Sequence, residues 1–137
     1  MPTDAAGEAF LKAKAKEEGV VKLNSGLLYK VLESGAGRRS PGKTTQCDCH
    51  YVGQIIRGQQ PQEFDSSYKR GKPLTFAPAQ VIPGWTEALQ LMKEGDTWEV
   101  YMPSNLGYGD DGTPGGPIPP RAALVFHIQL LKVHDSS

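Results

Sequence analysis

Two long stretches of this chain alternate with the period of two that a half-buried strand requires. From Thr44 to Arg57, Cys47, Cys49 and Tyr51 fall on one face. From Asp96 to Met102, Trp98, Val100 and Met102 alternate with Thr97, Glu99 and Tyr101. Ser25-Gly26 turns the chain into a shorter apolar run, Leu27 to Leu32, and Leu74-Thr75-Phe76 is a three-residue strand. Ala122 to Val133, bounded by polar residues, reads as the last strand. Trp85 to Met92 is a short amphipathic helix. Pro83 lacks an N–H and Gly84 tolerates unusual dihedrals, so the chain can turn sharply into it.

Residues 4–18 are rich in Ala, Lys and Glu and predict a second helix, with Asp4 as N-cap and Gly19 as C-cap. Phe10 and Leu11 are its large apolar residues, so it has little surface to bury and reads as an appendage. Gly35 to Gly42 predicts a loop, Gly58 to Pro61 a turn, and Phe64 to Gly71 an irregular segment. Asn105 to Pro120 is a Gly/Pro-rich loop of a length that usually signals function. The expected fold class is therefore α+β: a twisted antiparallel sheet of about five strands covering one short helix, with an N-terminal helical extension. The expected division is residues 1–22 for the extension and residues 23–137 for a single domain. No internal repeat or low-complexity segment stands out.

Composition narrows the function classes. The 137 residues carry fifteen basic and fifteen acidic side chains, so bulk charge points to neither a nucleic-acid nor an anionic-membrane partner. There is no apolar run near the ~18 residues of a membrane span. Met1-Pro2-Thr3-Asp4 lacks the basic and apolar regions of a signal peptide, which predicts a cytoplasmic location; a truncated form of a secreted protein would read the same. Cys47 and Cys49 share a strand face about 7 Å apart, a separation that disfavours a disulfide between them.

Several motifs match on paper and fail in context. Gly37 to Thr44 satisfies the phosphate-loop pattern around Lys43, but an alternating strand follows where a helix is needed, and Pro41 removes a donor from the cradle. Gly107 to Gly112 matches the dinucleotide fingerprint, but Thr113-Pro114-Gly115-Gly116-Pro117 cannot begin a helix. His50 points away from Cys47 and Cys49, so the three do not form a metal site, and no Gly-x-Ser-x-Gly elbow is present. No metal or cofactor is expected. Taken singly, Phe76, Trp85 and Phe126 read as core, Tyr51 as a half-buried strand residue, and Asp65 as a turn residue capping Ser66-Ser67.

Their joint order carries more. Tyr51-Val52-Gly53, Phe64-Asp65-Ser66-Ser67, Val81-Ile82-Pro83-Gly84-Trp85, Met92-Lys93-Glu94-Gly95, Tyr108-Gly109, Gly116 to Pro120 and Leu124-Val125-Phe126 resemble the FKBP-type peptidyl-prolyl isomerases in family order over residues 23 to 134. Thr86 to Met92 and Gly115 to Ile118 look most like the macrophage infectivity potentiator (Mip) branch. The resemblance implies an aromatic prolyl pocket. In it Trp85 is the floor, Tyr51, Phe76 and Phe126 are walls, and Val81 and Ile82 form the rim. The Ile82 N–H and the Tyr108 hydroxyl would bind carbonyls. Asp65 would sit near the twisting amide, oriented by Tyr51 and Arg70, and Phe64 and Ile118 would bracket the pocket. Proline-containing polypeptides and tacrolimus- or rapamycin-like macrolides are the implied partners.

Two departures from the family pattern stand out. Leu74 occupies a position where many members carry an aromatic, and Asp110-Asp111-Gly112-Thr113 changes the charge of the long loop. The N-terminal helix is too short for the stalk and dimerisation module of full Mip proteins, so a monomer is expected. The alternative is a non-catalytic proline-peptide-binding or chaperone module using the same groove.

Overall fold

The computed structural model describes residues 3–57 and 60–134. In chain order the elements are α1 (Ala5–Ala15), β1 (Val20–Lys22), β2 (Leu28–Glu33), β3 (Cys47–Arg57), β4 (Gln60–Ser66), α2 (Ser67–Arg70), β5 (Leu74–Phe76), α3 (Pro83–Leu91), β6 (Thr97–Met102) and β7 (Leu124–Val133). The strands form one antiparallel sheet of order β1-β2-β6-β7-β3-β4, with β5 paired to the opposite end of β3 from β4. The α+β expectation thus matches the architecture, with more strands than the alternation revealed.

Two strands escaped the sequence pattern. Phe64 to Ser66, expected to be irregular, completes β4, which pairs with β3 from Val52↔Ser66 to Arg57↔Gln60. As an edge strand largely exposed up to Glu63, β4 needs no apolar alternation to be stable. The expected turn placed Gln60 and Pro61 outside the strand they begin, and Gly58 and Gln59 lie outside the described residues. Ser67 to Arg70 form the single turn of α2, capped by the Ser66 hydroxyl accepting from the Lys69 N–H. The other missed strand, β1, is only three residues long.

The helix of residues 5–15 is not an appendage. Asp4 caps it as expected, accepting from the Gly7 N–H at 2.8 Å. It closes at Lys16, and Gly19, at φ +86°, instead turns the chain into β1. Ala6, Phe10 and Leu11 pack against Leu28, Ile56, Tyr101, Ala123 and Val125 on the outer face of the sheet. Lys14 adds a cation–π contact, its Nζ 5.1 Å from the Tyr101 ring centroid. Both faces of β6 are therefore covered, and its outer-face Tyr101 is fully buried.

The main core lies on the other face. Trp85, Ala88 and Leu89 of α3, with Met92 just beyond it, pack onto Cys47, Cys49 and Tyr51 of β3, Val100 and Met102 of β6, and Phe126, Ile128 and Leu130 of β7. The helix presents one apolar stripe, and the curled sheet supplies the concave surface that buries it. Cys47 and Cys49 are buried free thiols within this core, as their strand face implies. Lys43 sits in a turn closed by the Gly42 N–H donating to the Thr45 hydroxyl, and β3 rather than a helix follows it. Among the described residues no helix is long and apolar enough to cross a membrane.

Candidate active site

The site is built at the N-terminal end of α3, where the inner face of the sheet is left open. A short 3-10 turn, Pro78–Gln80, leads into Val81 and Ile82. The Thr86 hydroxyl reaches back to this segment, donating to the Pro78 carbonyl at 2.6 Å and lying within 3.3 Å of the Val81 and Ile82 carbonyls. Pro83 then starts the helix with its φ pre-set. The Ile82 carbonyl accepts from Trp85 and Thr86, but its N–H has no partner among the described residues. One rim donor is therefore available to a ligand.

Trp85, 4 % exposed, is held in place by aromatic edges. Tyr51 meets it T-shaped at 5.1 Å, Phe126 T-shaped at 5.2 Å, and Phe76 tilted at 5.4 Å. Phe64 in turn stands edge-on to Phe126 at 5.9 Å. These are the favourable geometries for aromatic quadrupoles, so the rings fix one another's orientation. Above Trp85 lies a cavity of about 390 Å³ lined by Tyr51, Phe64, Asp65, Leu74, Gln80, Val81, Ile82, Trp85, Tyr108 and Phe126.

Of the site residues expected from sequence, three lie behind this lining. Phe76 supports Trp85 from the core. Ile118 is buried in the core cluster, with backbone and side-chain hydrogen bonds to Thr113 that brace the long loop. Arg70 reaches the site only through its partners, Asp65 and the Tyr51 hydroxyl. Gln80 is the lining residue that sequence reasoning missed. A polar residue in a turn normally reads as solvent-facing, and the one available signal was its place directly before Val81-Ile82. Leu74, 41 % exposed, stands at the mouth, where its smaller side chain leaves the rim open.

The polar side of the pocket is a three-member network. The Tyr51 hydroxyl donates to Asp65 at 2.5 Å, Arg70 pairs with the other carboxylate oxygen, and a second guanidinium nitrogen donates to the Tyr51 oxygen at 2.8 Å. Burial pushes the Asp65 carboxyl up, but the Tyr51 hydroxyl and Arg70 outweigh it and hold the group below the usual carboxylate range. Burial first, and the Asp65 carboxylate second, raise the Tyr51 hydroxyl. Tyr108 is raised by the same two causes, so it remains a protonated donor at neutral pH. Its hydroxyl has no hydrogen-bond partner among the described residues, which makes it the second donor facing the cavity.

Because the folded pKa of Asp65 lies below its unfolded value, near 3.9, the network stabilises the fold fully above that pH. The contribution disappears as pH falls through the folded value. The difference in urea midpoint between the wild type and Asp65→Asn is expected to be constant at neutral pH and to shrink below about pH 4. A difference independent of pH would show that the carboxylate contributes nothing as a charge.

Gly53 lets the two phenylalanines approach. It pairs with Asp65 on one side and Phe126 on the other, and a Cβ there would lie 2.7 Å from Phe64 and 2.8 Å from Phe126. Gly53→Ala is therefore expected to push Phe64 into the cavity and to destabilise the fold by about 1–3 kcal/mol. Ligand binding should weaken more than stability does, measurable by titration calorimetry alongside thermal denaturation.

A sheet curled over one helix leaves an aromatic pocket at the helix start, with two donors beside it that have no partner among the described residues. A family model described as FKBP-type peptidyl-prolyl cis-trans isomerase matches residues 37–131, and a second, the domain amino-terminal to it, matches residues 2–31. The chain belongs to the FKBP-type peptidyl-prolyl cis-trans isomerase family. It is 50% identical to the outer membrane protein MIP of Legionella longbeachae over 97% of this chain and 55% of that one. It is 46% identical to a macrophage infectivity potentiator of Trypanosoma cruzi over 94% of this chain and 64% of that one. The crystal structure of FkpA from Escherichia coli superposes with a TM-score of 0.88 at 41% identity, over 97% of this chain and 60% of that one. The chain thus spans between half and two thirds of the length of these relatives.

Proposed function

We propose that this chain catalyses cis/trans isomerisation of X–Pro peptide bonds in polypeptides and thereby assists their folding. The observation that carries this reading is the apolar cavity of about 390 Å³ over Trp85, with two donors, the Ile82 N–H and the Tyr108 hydroxyl, and no nucleophile required. Rotation about the bond breaks amide resonance against a barrier of about 18–20 kcal/mol. The planar amide is the more dipolar state, so an aromatic, water-poor pocket penalises it more than the twisted one. The proline ring lies on Trp85 between Tyr51 and Phe126. The Ile82 N–H anchors one carbonyl, and Tyr108 donates to another. Asp65 stands beside the rotating bond, with Arg70 and Tyr51 fixing its direction. Accelerating the step by ~10³–10⁴ requires ~4–5.5 kcal/mol, within reach of apolar binding plus one or two oriented hydrogen bonds.

The same pocket suits macrolides of the tacrolimus and rapamycin type, and the chain acts as a monomer. The test is isomerisation of a proline-containing peptide with and without such a macrolide. The expected result is catalysis that the macrolide abolishes at one molecule per monomer. Peptide binding without rate enhancement would instead make the chain a holding module.

A further inference from the structure

Tyr108 hangs on the long loop between β6 and β7, and it is 39 % exposed. Its position is fixed by the backbone on either side of it. The Gly107 and Gly109 N–H groups both donate to the Ser104 carbonyl, at 2.9 and 2.8 Å. Ser104 is therefore the hub that holds Tyr108 in place, and it is itself only 1 % exposed.

Ser104 is held by the N-terminal segment, far away in sequence. The Thr3 hydroxyl accepts from the Ser104 N–H at 2.9 Å and donates to the Ser104 hydroxyl at 3.3 Å, and Thr3 is only 6 % exposed. The adjacent Asp4 N–H donates to the Arg121 carbonyl at 2.8 Å, and the Arg121 N–H donates to the Gly109 carbonyl at 2.9 Å. Two consecutive residues thus grip both stems of the loop that carries Tyr108. Arg121 has a left-handed backbone at φ 59°, a conformation that a non-glycine residue adopts rarely and keeps when its surroundings enforce it. The absence of a Cβ at Gly7 lets α1 come close enough for this grip: a Cβ there would lie 2.6 Å from Thr3 and 2.8 Å from Ala123.

We propose that Thr3 is a positioning residue for isomerisation, holding Ser104 and through it the Tyr108 hydroxyl over the pocket, with Asp4 as the second point of the clamp. The proposal rests on the isomerase reading for its effect on rate, but the coupling of Thr3 to the loop stands apart from it. The physical reason is burial. Thr3→Val keeps the shape but leaves the Ser104 N–H desolvated and unpaired, so the loop relaxes to find another partner. Thr3→Ser keeps the hydroxyl.

The test uses the full chain and two readouts. In the first, Thr3→Val lowers kcat/KM roughly three- to tenfold, chiefly through kcat, while Thr3→Ser stays within about twofold of wild type. In a Tyr108→Phe background the Thr3→Val effect disappears, because the hydroxyl it positions is gone. In the second, amide hydrogen exchange at Gly107 and Gly109 speeds up in Thr3→Val while the β3 amides keep their protection. Absence of isomerase activity in the wild type would sink the isomerase reading and leave the exchange measurement to decide the clamp. Unchanged exchange at Gly107 and Gly109, or an equal loss of kcat/KM with and without the Tyr108 hydroxyl, overturns the proposal.

Discussion

Trp85→Ala is expected to reduce isomerisation to the uncatalysed rate and to destabilise the fold by about 3–5 kcal/mol, as for other buried aromatics. The indole is 4 % exposed and touches three aromatic rings, so its removal deletes those contacts and leaves a void beneath the pocket. Against a typical domain stability of about 5–15 kcal/mol the variant should still fold in the cold, where both effects are measurable. Urea denaturation should show a lower midpoint with the slope unchanged. Trp85→Phe separates the two roles. The buried Nε1 has no hydrogen-bond partner among the described residues, so a phenyl ring gives up no polar contact and keeps an apolar floor. It should retain much of the activity. A folded Trp85→Ala protein with wild-type turnover would remove the floor from the mechanism.

Asp65→Leu is expected to separate the two effects, with a large loss of activity and a small change in stability. Arg70 and Asp65 are both substantially exposed, and solvent-screened ion pairs of that kind contribute little to folding. In the pocket, however, the carboxylate fixes the Tyr51 hydroxyl and neutralises Arg70. Without it, the guanidinium brings an uncompensated positive charge beside the reacting amide, and the Tyr51 ring loses its anchor. A fall in kcat/KM of about 10–100-fold corresponds to about 1.4–2.7 kcal/mol of transition-state stabilisation, a reasonable size for one oriented charged group. Peptide isomerisation at neutral pH compared with the urea midpoint of the same sample measures both quantities. An activity loss matched by an equal loss of stability would mean that Asp65 serves the fold and not the reaction.

What the sequence by itself determined was every element whose pattern is a matter of period. β3 and β6 show a two-residue alternation, and α3 has an apolar stripe opened by Pro83 and Gly84. The pocket rings were legible only together, because Tyr51, Trp85 and Phe126 are each ordinary core or strand residues when read alone, and Phe64 and Tyr108 lie in segments read as irregular or loop. Only the tertiary structure decided the rest. β4 carries little apolar alternation because it lies at an edge of the sheet, where pairing with β3 and not burial makes it a strand. Gln80 enters the pocket because the turn Pro78–Gln80 folds it there, and no local pattern encodes that direction. Phe10 and Leu11 offered too little apolar surface to predict docking, yet α1 docks because Leu28, Tyr101 and Val125 leave a matching apolar patch on the outer face of the sheet. The grip of Thr3 on Ser104 spans 101 residues. Periodicity reports which face of an element is apolar, but it carries no information about which distant backbone groups that face will bring within hydrogen-bond reach.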